Sequence, residues 1–173
     1  MPALTALRKY AVPLMTAALV AAWDLATKAW VLRNLDLYEV RTVFQGWFDL
    51  VHVRNPGVAF SLLANLDPAW VRPALVAVTV AEIGALLCFI WFLPGRGPTP
   101  WGLGMILGGA AGNLIDRARF GYVVDFVDIY RGGFHWPTFN LADAGITVGI
   151  LLLAAGMIFG NKESDAPRPA ADR

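Results

Sequence analysis

The chain has 173 residues, a formal net charge of +1, 57% apolar side chains and only 16% charged ones. With glycine counted in and tyrosine set aside, the apolar share is about 65%, against roughly 45–50% in a soluble globular domain. These values exclude a water-soluble domain, a chain disordered over most of its length and a nucleic-acid binder, which would need a basic excess; a single cysteine also excludes a disulfide framework or thiolate metal site.

In chain order, four stretches suit the membrane crossing that about 20 apolar residues make through about 30 Å of hydrocarbon. The first, residues 10–31, contains Asp24 and Lys28. The second, 73–93, has Glu82 as its only charge, and the third, 101–117, is rich in glycine. The fourth, 141–160, carries Asp143 near its start. Arg8 and Lys9 ahead of the first stretch also suit a cleaved signal peptide, but apolar character resumes past Lys28 and three later spans follow. The sequence therefore predicts one membrane-embedded domain over residues 1–160 and a polar, disordered tail over 161–173.

Between the first two spans, residues 38–44 and 47–54 are rich in β-branched and aromatic side chains, with Gln45-Gly46 as a two-residue turn. This predicts a hairpin over about 38–55 at the membrane surface. Asp67-Pro68 reads as an N-cap followed by proline at the first helical position. Four spans put both termini and the 94–100 link on one side, and the connections 32–72 and 116–140 on the other. The basic residues do not choose the orientation. Arg8, Lys9, Arg96, Lys162, Arg168 and Arg173 lie on the terminal side, and Arg33, Arg41, Arg54, Arg72, Arg117, Arg119 and Arg131 lie near the opposite face.

Ionisable groups inside a membrane are costly and mark function. Asp24, Asn55, Asn113, Asp116, Arg117, Asp125, Asn140 and Asp143 fall at or near span ends on one side, which predicts a single polar site there. Asp24 and Lys28 share a helix face in the favourable i, i+4 order, so an intrahelical ion pair is the plain reading. Asn113, Asp116 and Arg117 share a face behind Gly104, Gly108 and Gly112, a small-residue stripe that suits close helix packing. Asn140 and Asp143 form a capping-box pattern, which is compatible with chemistry by the same carboxylate.

Nucleophiles are scarce. Ser61 and Ser164 are the only serines, His52 and His135 the only histidines, and no Gly-x-Ser-x-Gly elbow or His-Glu-x-x-His motif occurs. A Ser61–Lys28 pair has no independent support, and Cys88 reads as a small core hydrophobe. Carboxylates are what remains. Two of them held close share a proton, so one can activate water while the other protonates a carbonyl and then the leaving amine. That route requires no metal or cofactor.

Five motifs occur in order: Asp24-Leu-Ala-Thr-Lys28, Arg54-Asn55-Pro-Gly57-Val-Ala59-Phe60, Gly108-Gly109-Ala-Ala-Gly112-Asn113-Leu-Ile-Asp116-Arg117, Val123-Val124-Asp125-Phe126 and Phe139-Asn140-Leu-Ala142-Asp143. Through them the chain resembles the lipoprotein signal peptidases (signal peptidase II), with Pro56 standing where threonine is more usual. The resemblance implies a mainly α four-helix membrane bundle with a small antiparallel β-cradle on the outer side. It also implies a multi-pass protein of the bacterial inner membrane with both termini cytoplasmic and the active site near the outer leaflet. Asp125 and Asp143 are the implied catalytic pair, with Asp116 a rival for Asp125 that pairing with Arg117 would make a supporting group. Asp24, Lys28, Asn55, Gly57, Asn113, Arg117 and Asn140 are the implied substrate-binding or supporting positions. The implied substrate is a diacylglyceryl-modified prolipoprotein cut just before its lipidated cysteine, with globomycin-type compounds as inhibitors and a monomer as the working form. Two other readings are open to the residues alone. A small proton-coupled transporter predicts midplane polar groups and an internal repeat, neither of which is seen, and a membrane scaffold leaves the acids unexplained.

Overall fold

The computed structural model describes residues 2–57, 68–92 and 97–159. Ser61, Ala59, Phe60, Asp67 and the 161–173 tail lie outside the described residues. The elements run α1 (Pro2–Asn34), β1 (Val40–Phe44), β2 (Phe48–Asn55), α2 (Pro68–Phe92), α3 (Thr99–Phe120), β3 (Val123–Arg131), β4 (Phe134–His135) and α4 (Leu141–Phe159). Three helical stretches are long and apolar enough to cross a membrane: Lys9–Asn34, Ala69–Phe92 and Leu141–Ile158. The expected third span, now α3, is not among them. Its 22 residues suffice in length, but its glycines and the Asn113, Asp116, Arg117 and Arg119 group dilute its hydropathy.

Instead α3 is the central helix, and glycine explains why. A Cβ at Gly104 would meet Pro13 and Thr16, one at Gly108 would meet Ala17 and Val20, and one at Gly112 would meet Asp24, all on α1. On another face, Gly102 lies against Gly149 and Leu153, and Gly109 against Ala142 and Ile146, all on α4. Residue numbers advance together on α1 and α3 and oppositely on α3 and α4, so the first pair is parallel and the second antiparallel. Small residues let the backbones approach closely enough for dispersion and hydrogen bonding to replace the missing hydrophobic drive. Gly109→Ala is therefore expected to cost about 1–3 kcal/mol through overpacking, seen as a lower Tm in detergent. Gly84→Ala on α2, where a new Cβ meets nothing within 4 Å, is the matched control and leaves Tm unchanged or slightly raised.

The hairpin forms, but its loop has three residues. Phe44 pairs with Phe48 across Gln45, Gly46 and Trp47, and Gly46 takes the left-handed conformation at φ +83°, where a Cβ would be strained. An irregularity between Thr42 and Phe44 shifts the register and moves the turn by one residue. The hairpin also acquires neighbours: β3 pairs antiparallel with β2, and β4 with β3, giving the order β1-β2-β3-β4. Val124 and Phe126 of β3 pack on Val31 and Leu35 at the end of α1. Strand alternation then turns Asp125 to the opposite face.

Candidate active site

Two connected polar groups lie beneath the sheet. The first is centred on Lys28, whose side chain is 2% exposed and whose Nζ lies 2.8 Å from Asp24 Oδ2 and 3.0 Å from Asp116 Oδ2. The same amine donates to Asn113 Oδ1 at 3.0 Å, so three oxygens surround it. The two acids have further anchors. Asp24 Oδ1 accepts from the Ala142 N–H at 2.9 Å, tying α1 to the first turn of α4. Asp116 Oδ2 accepts from the Val124 N–H at 3.1 Å, tying α3 to β3. Asp24 is ten residues before the end of α1, about 15 Å down the helix, so the site reaches deeper than a span-end position.

The second group holds Asp125 and Asp143. Asn55 Nδ2 donates to Asp125 Oδ2 at 2.9 Å, and Asn140 Nδ2 donates to Asp125 Oδ1 at 2.7 Å. Asn113 Nδ2 donates to Asp143 Oδ1 at 2.8 Å. Asn140 Nδ2 also reaches Asn113 Oδ1 at 3.2 Å, so the two carboxylates are joined through a pair of asparagines. At the start of α4 the capping box is reciprocal. The Asp143 N–H donates to Asn140 Oδ1 at 3.0 Å, and the Asn140 N–H to Asp143 Oδ2 at 3.3 Å. Gly57 serves indirectly: its N–H donates to Asn55 Oδ1 at 2.9 Å, and its φ of +85° closes that turn, so it holds the asparagine that holds Asp125.

Asp125 is 1% exposed. Burial pushes its pKa up from the usual carboxylate range to about 6; the Asn55 hydrogen bond opposes this, the Asp143 charge adds to it, and Asn140 and Lys28 oppose it. An acid held near 6 can keep its proton close to neutral pH.

Two expectations are corrected. Asp116 takes its counter-charge from Lys28, whereas Arg117 turns to α2, where Nη1 donates to Thr79 Oγ1 at 3.4 Å. The i, i+3, i+4 spacing placed three side chains on one broad face, but Lys28 on the parallel helix α1 lies nearer to Asp116. Cys88 is exposed rather than in the core, because it lies on the outward side of α2. The histidines stay away from both carboxylates: His52 Nδ1 lies 3.0 Å from the Leu35 carbonyl, and His135 Nδ1 lies 2.8 Å from Asp128. Thr79 and the backbone N–H groups of Val124 and Ala142 are participants that sequence reasoning missed. A lone threonine in an apolar span carries no signal, and backbone donors carry none at all.

Comparison with known proteins finds relatives over most of the chain. A family model described as signal peptidase (SPase) II matches residues 16–159. A lipoprotein signal peptidase of Desulforapulum autotrophicum is 43% identical over 155 residues, covering 87% of this chain and 93% of that protein. A lipoprotein signal peptidase of Nitratidesulfovibrio vulgaris is 38% identical, covering 90% and 98%. A solved bacterial membrane enzyme shares the fold, with a TM-score of 0.76 at 24% identity, covering 95% of this chain and 96% of that one.

Proposed function

The chain belongs to the signal peptidase II family, and from that premise we propose that it is an aspartyl endopeptidase that cuts diacylglyceryl-modified prolipoproteins just before the lipidated cysteine. One observation carries the dyad. Asp125 and Asp143 are linked through Asn140 and Asn113, yet among the described residues no cation pairs with either, because Lys28 is committed to Asp24 and Asp116. The Asp143 charge adds to the burial that raises the Asp125 pKa, so the two carboxylates resist ionising together and can hold one proton between them. Asp143, at the positive end of α4, is the ionised partner and takes a proton from the attacking water. Asp125, buried and with its pKa near 6, protonates the carbonyl oxygen and later the departing amine. Asp116 supports the site, since its carboxylate is engaged by Lys28 and Val124. The transporter reading finds no favour in the family match.

In the same proposal α3 is a fourth span, since 22 residues cover about 33 Å. Both termini are then cytoplasmic and the sheet lies at the outer leaflet of the bacterial inner membrane. Tyr38, Phe44, Trp47, Phe134 and Trp136, all exposed on and beside the sheet, suit an aromatic belt at a membrane interface. A diacylglyceryl anchor would hold the scissile bond at that level, so lipid binding energy orients the peptide.

The test is cleavage by the purified full chain in detergent. The modified prolipoprotein is cut to a product beginning at the lipidated cysteine, and the unmodified precursor is not. Equal cutting of both, or a different new N-terminus, overturns the proposal. The pH profile adds a directional check. Asn55 favours the charged form of Asp125, so Asn55→Ala raises that pKa further. The alkaline limb, where the acid loses its proton, then moves to higher pH, and a limb that stays in place or moves lower removes Asp125 from the acid role.

A further inference from the structure

A groove of about 170 Å³ opens between the sheet-side ends of α1 and α3. Leu25, Ala29 and Arg33 line it as one i, i+4, i+8 stripe of α1, and Arg119 and Phe120 line it from α3. Burial orders it by depth. Arg33 and Arg119 are exposed, Leu25, Ala29 and Phe120 are half-buried, and the Lys28–Asp116 ion pair is buried. The groove thus has a cationic rim, an apolar wall and a closed ionic floor.

The two rim arginines are unengaged, as is Arg72 on α2, whose guanidinium lies beside Gly121, while the other described arginines with placed side chains have partners. Arg41 pairs with Glu39, Arg131 lies over Trp47, Arg54 lies over Tyr122 and Arg117 reaches Thr79. Among the described residues Arg33 has no ion-pair or hydrogen-bond partner, and Arg119 touches only the ring of its neighbour Phe120, at 4.9 Å. Each arginine sits in the last turn of its helix, where the dipole favours a cation. The dipole explains one charge per helix. It does not explain why α1 and α3, running parallel, bring both charges to one apolar groove.

We propose that this groove binds the phosphate headgroup of an anionic glycerophospholipid. Two guanidinium forks match phosphate oxygens bidentately, and basic pockets between membrane helices suit such headgroups. The Leu25–Ala29 wall continues below the rim at the depth of an acyl chain. A zwitterionic lipid gains less, because the acid in the groove, Asp116, is committed to Lys28 and Val124 and offers nothing to an ammonium group. The headgroup would also lie near Lys28, whose amine holds Asn113, so lipid identity can reach the polar network without touching it.

The test is native mass spectrometry of the purified full chain from micelles carrying equal phosphatidylglycerol and phosphatidylcholine. The wild type retains phosphatidylglycerol several-fold over phosphatidylcholine, and R33Q/R119Q brings the ratio to parity. Each single variant gives an intermediate ratio, so the inference does not depend on the double variant folding. R41Q/R131Q, which removes two sheet arginines outside the groove, keeps the preference, and excess inorganic phosphate does not displace the lipid. Parity in the wild type overturns the proposal, as does a preference that survives R33Q/R119Q. Loss of the preference in R41Q/R131Q would show diffuse surface charge, and displacement by inorganic phosphate would show a bare anion site; both overturn it too.

Discussion

Asp125→Asn and Asp143→Asn each lower the rate of prolipoprotein cleavage by roughly 10²–10⁴-fold, the range that positioned general acids and bases supply, while the protein stays folded. Each substitution keeps the side-chain shape and removes the carboxyl group that gives or takes the proton. Asp143→Asn keeps one oxygen, which serves either the Asn113 amide or the capping box that starts α4 but not both, since the carboxylate uses Oδ1 for one and Oδ2 for the other. Asp125→Asn removes a buried acid whose ionisation is already disfavoured, and the loss of stability is confined to the one asparagine amide, of Asn55 or Asn140, left without its acceptor. The rival acid gives the contrast. Asp116→Asn leaves Lys28 with one fewer anionic partner and shows chiefly as a lower Tm. Single-turnover cleavage and thermal unfolding, measured on the same three preparations, separate the roles. If Asp116→Asn abolishes turnover at unchanged Tm while Asp125→Asn still cleaves, the dyad contains Asp116.

Lys28→Met lowers stability by about 3–5 kcal/mol, the cost of leaving buried charge uncompensated. Methionine fills much of the same volume, so little of this comes from a cavity. What remains is two acids, Asp24 and Asp116, each with 1% exposure or less, together with Asn113 Oδ1 deprived of a charged donor. Adding Asp24→Asn and Asp116→Asn to Lys28→Met recovers part of the loss, because the buried charges go together. Thermal unfolding in detergent checks both statements. An unchanged Tm in Lys28→Met would show that water or rearrangement compensates the acids, and the ion group would lose its structural role.

Much of the site was legible because several of its bonds are local in sequence. The Asp24–Lys28 pair is one helical turn, and the Asn140–Asp143 box is another. Their geometry follows from 3.6 residues per turn whatever the rest of the chain does. The strand β3 was less legible. Val123–Arg131 carries acids at Asp125 and Asp128 within an apolar run, so it shows no simple alternation. It becomes a strand because β2 offers a ladder partner and α1 offers an apolar seat for Val124 and Phe126.

From the amino-acid sequence alone came the membrane class, the hairpin, the capping box and the set of polar residues that a bilayer tolerates only for a purpose. All of these depend on composition or on neighbours a few residues apart. Tertiary structure decided which cation neutralises Asp116, which amides grip Asp125 and Asp143, and that Arg33 and Arg119 share a groove. Lys28 and Asn113 are 85 residues apart, and Asp24 and Ala142 are 118 apart. No periodicity connects such positions. They meet because glycines along α3 bring α1 and α4 close on either side, and backbone separation, rather than spacing along the chain, then determines which charges touch.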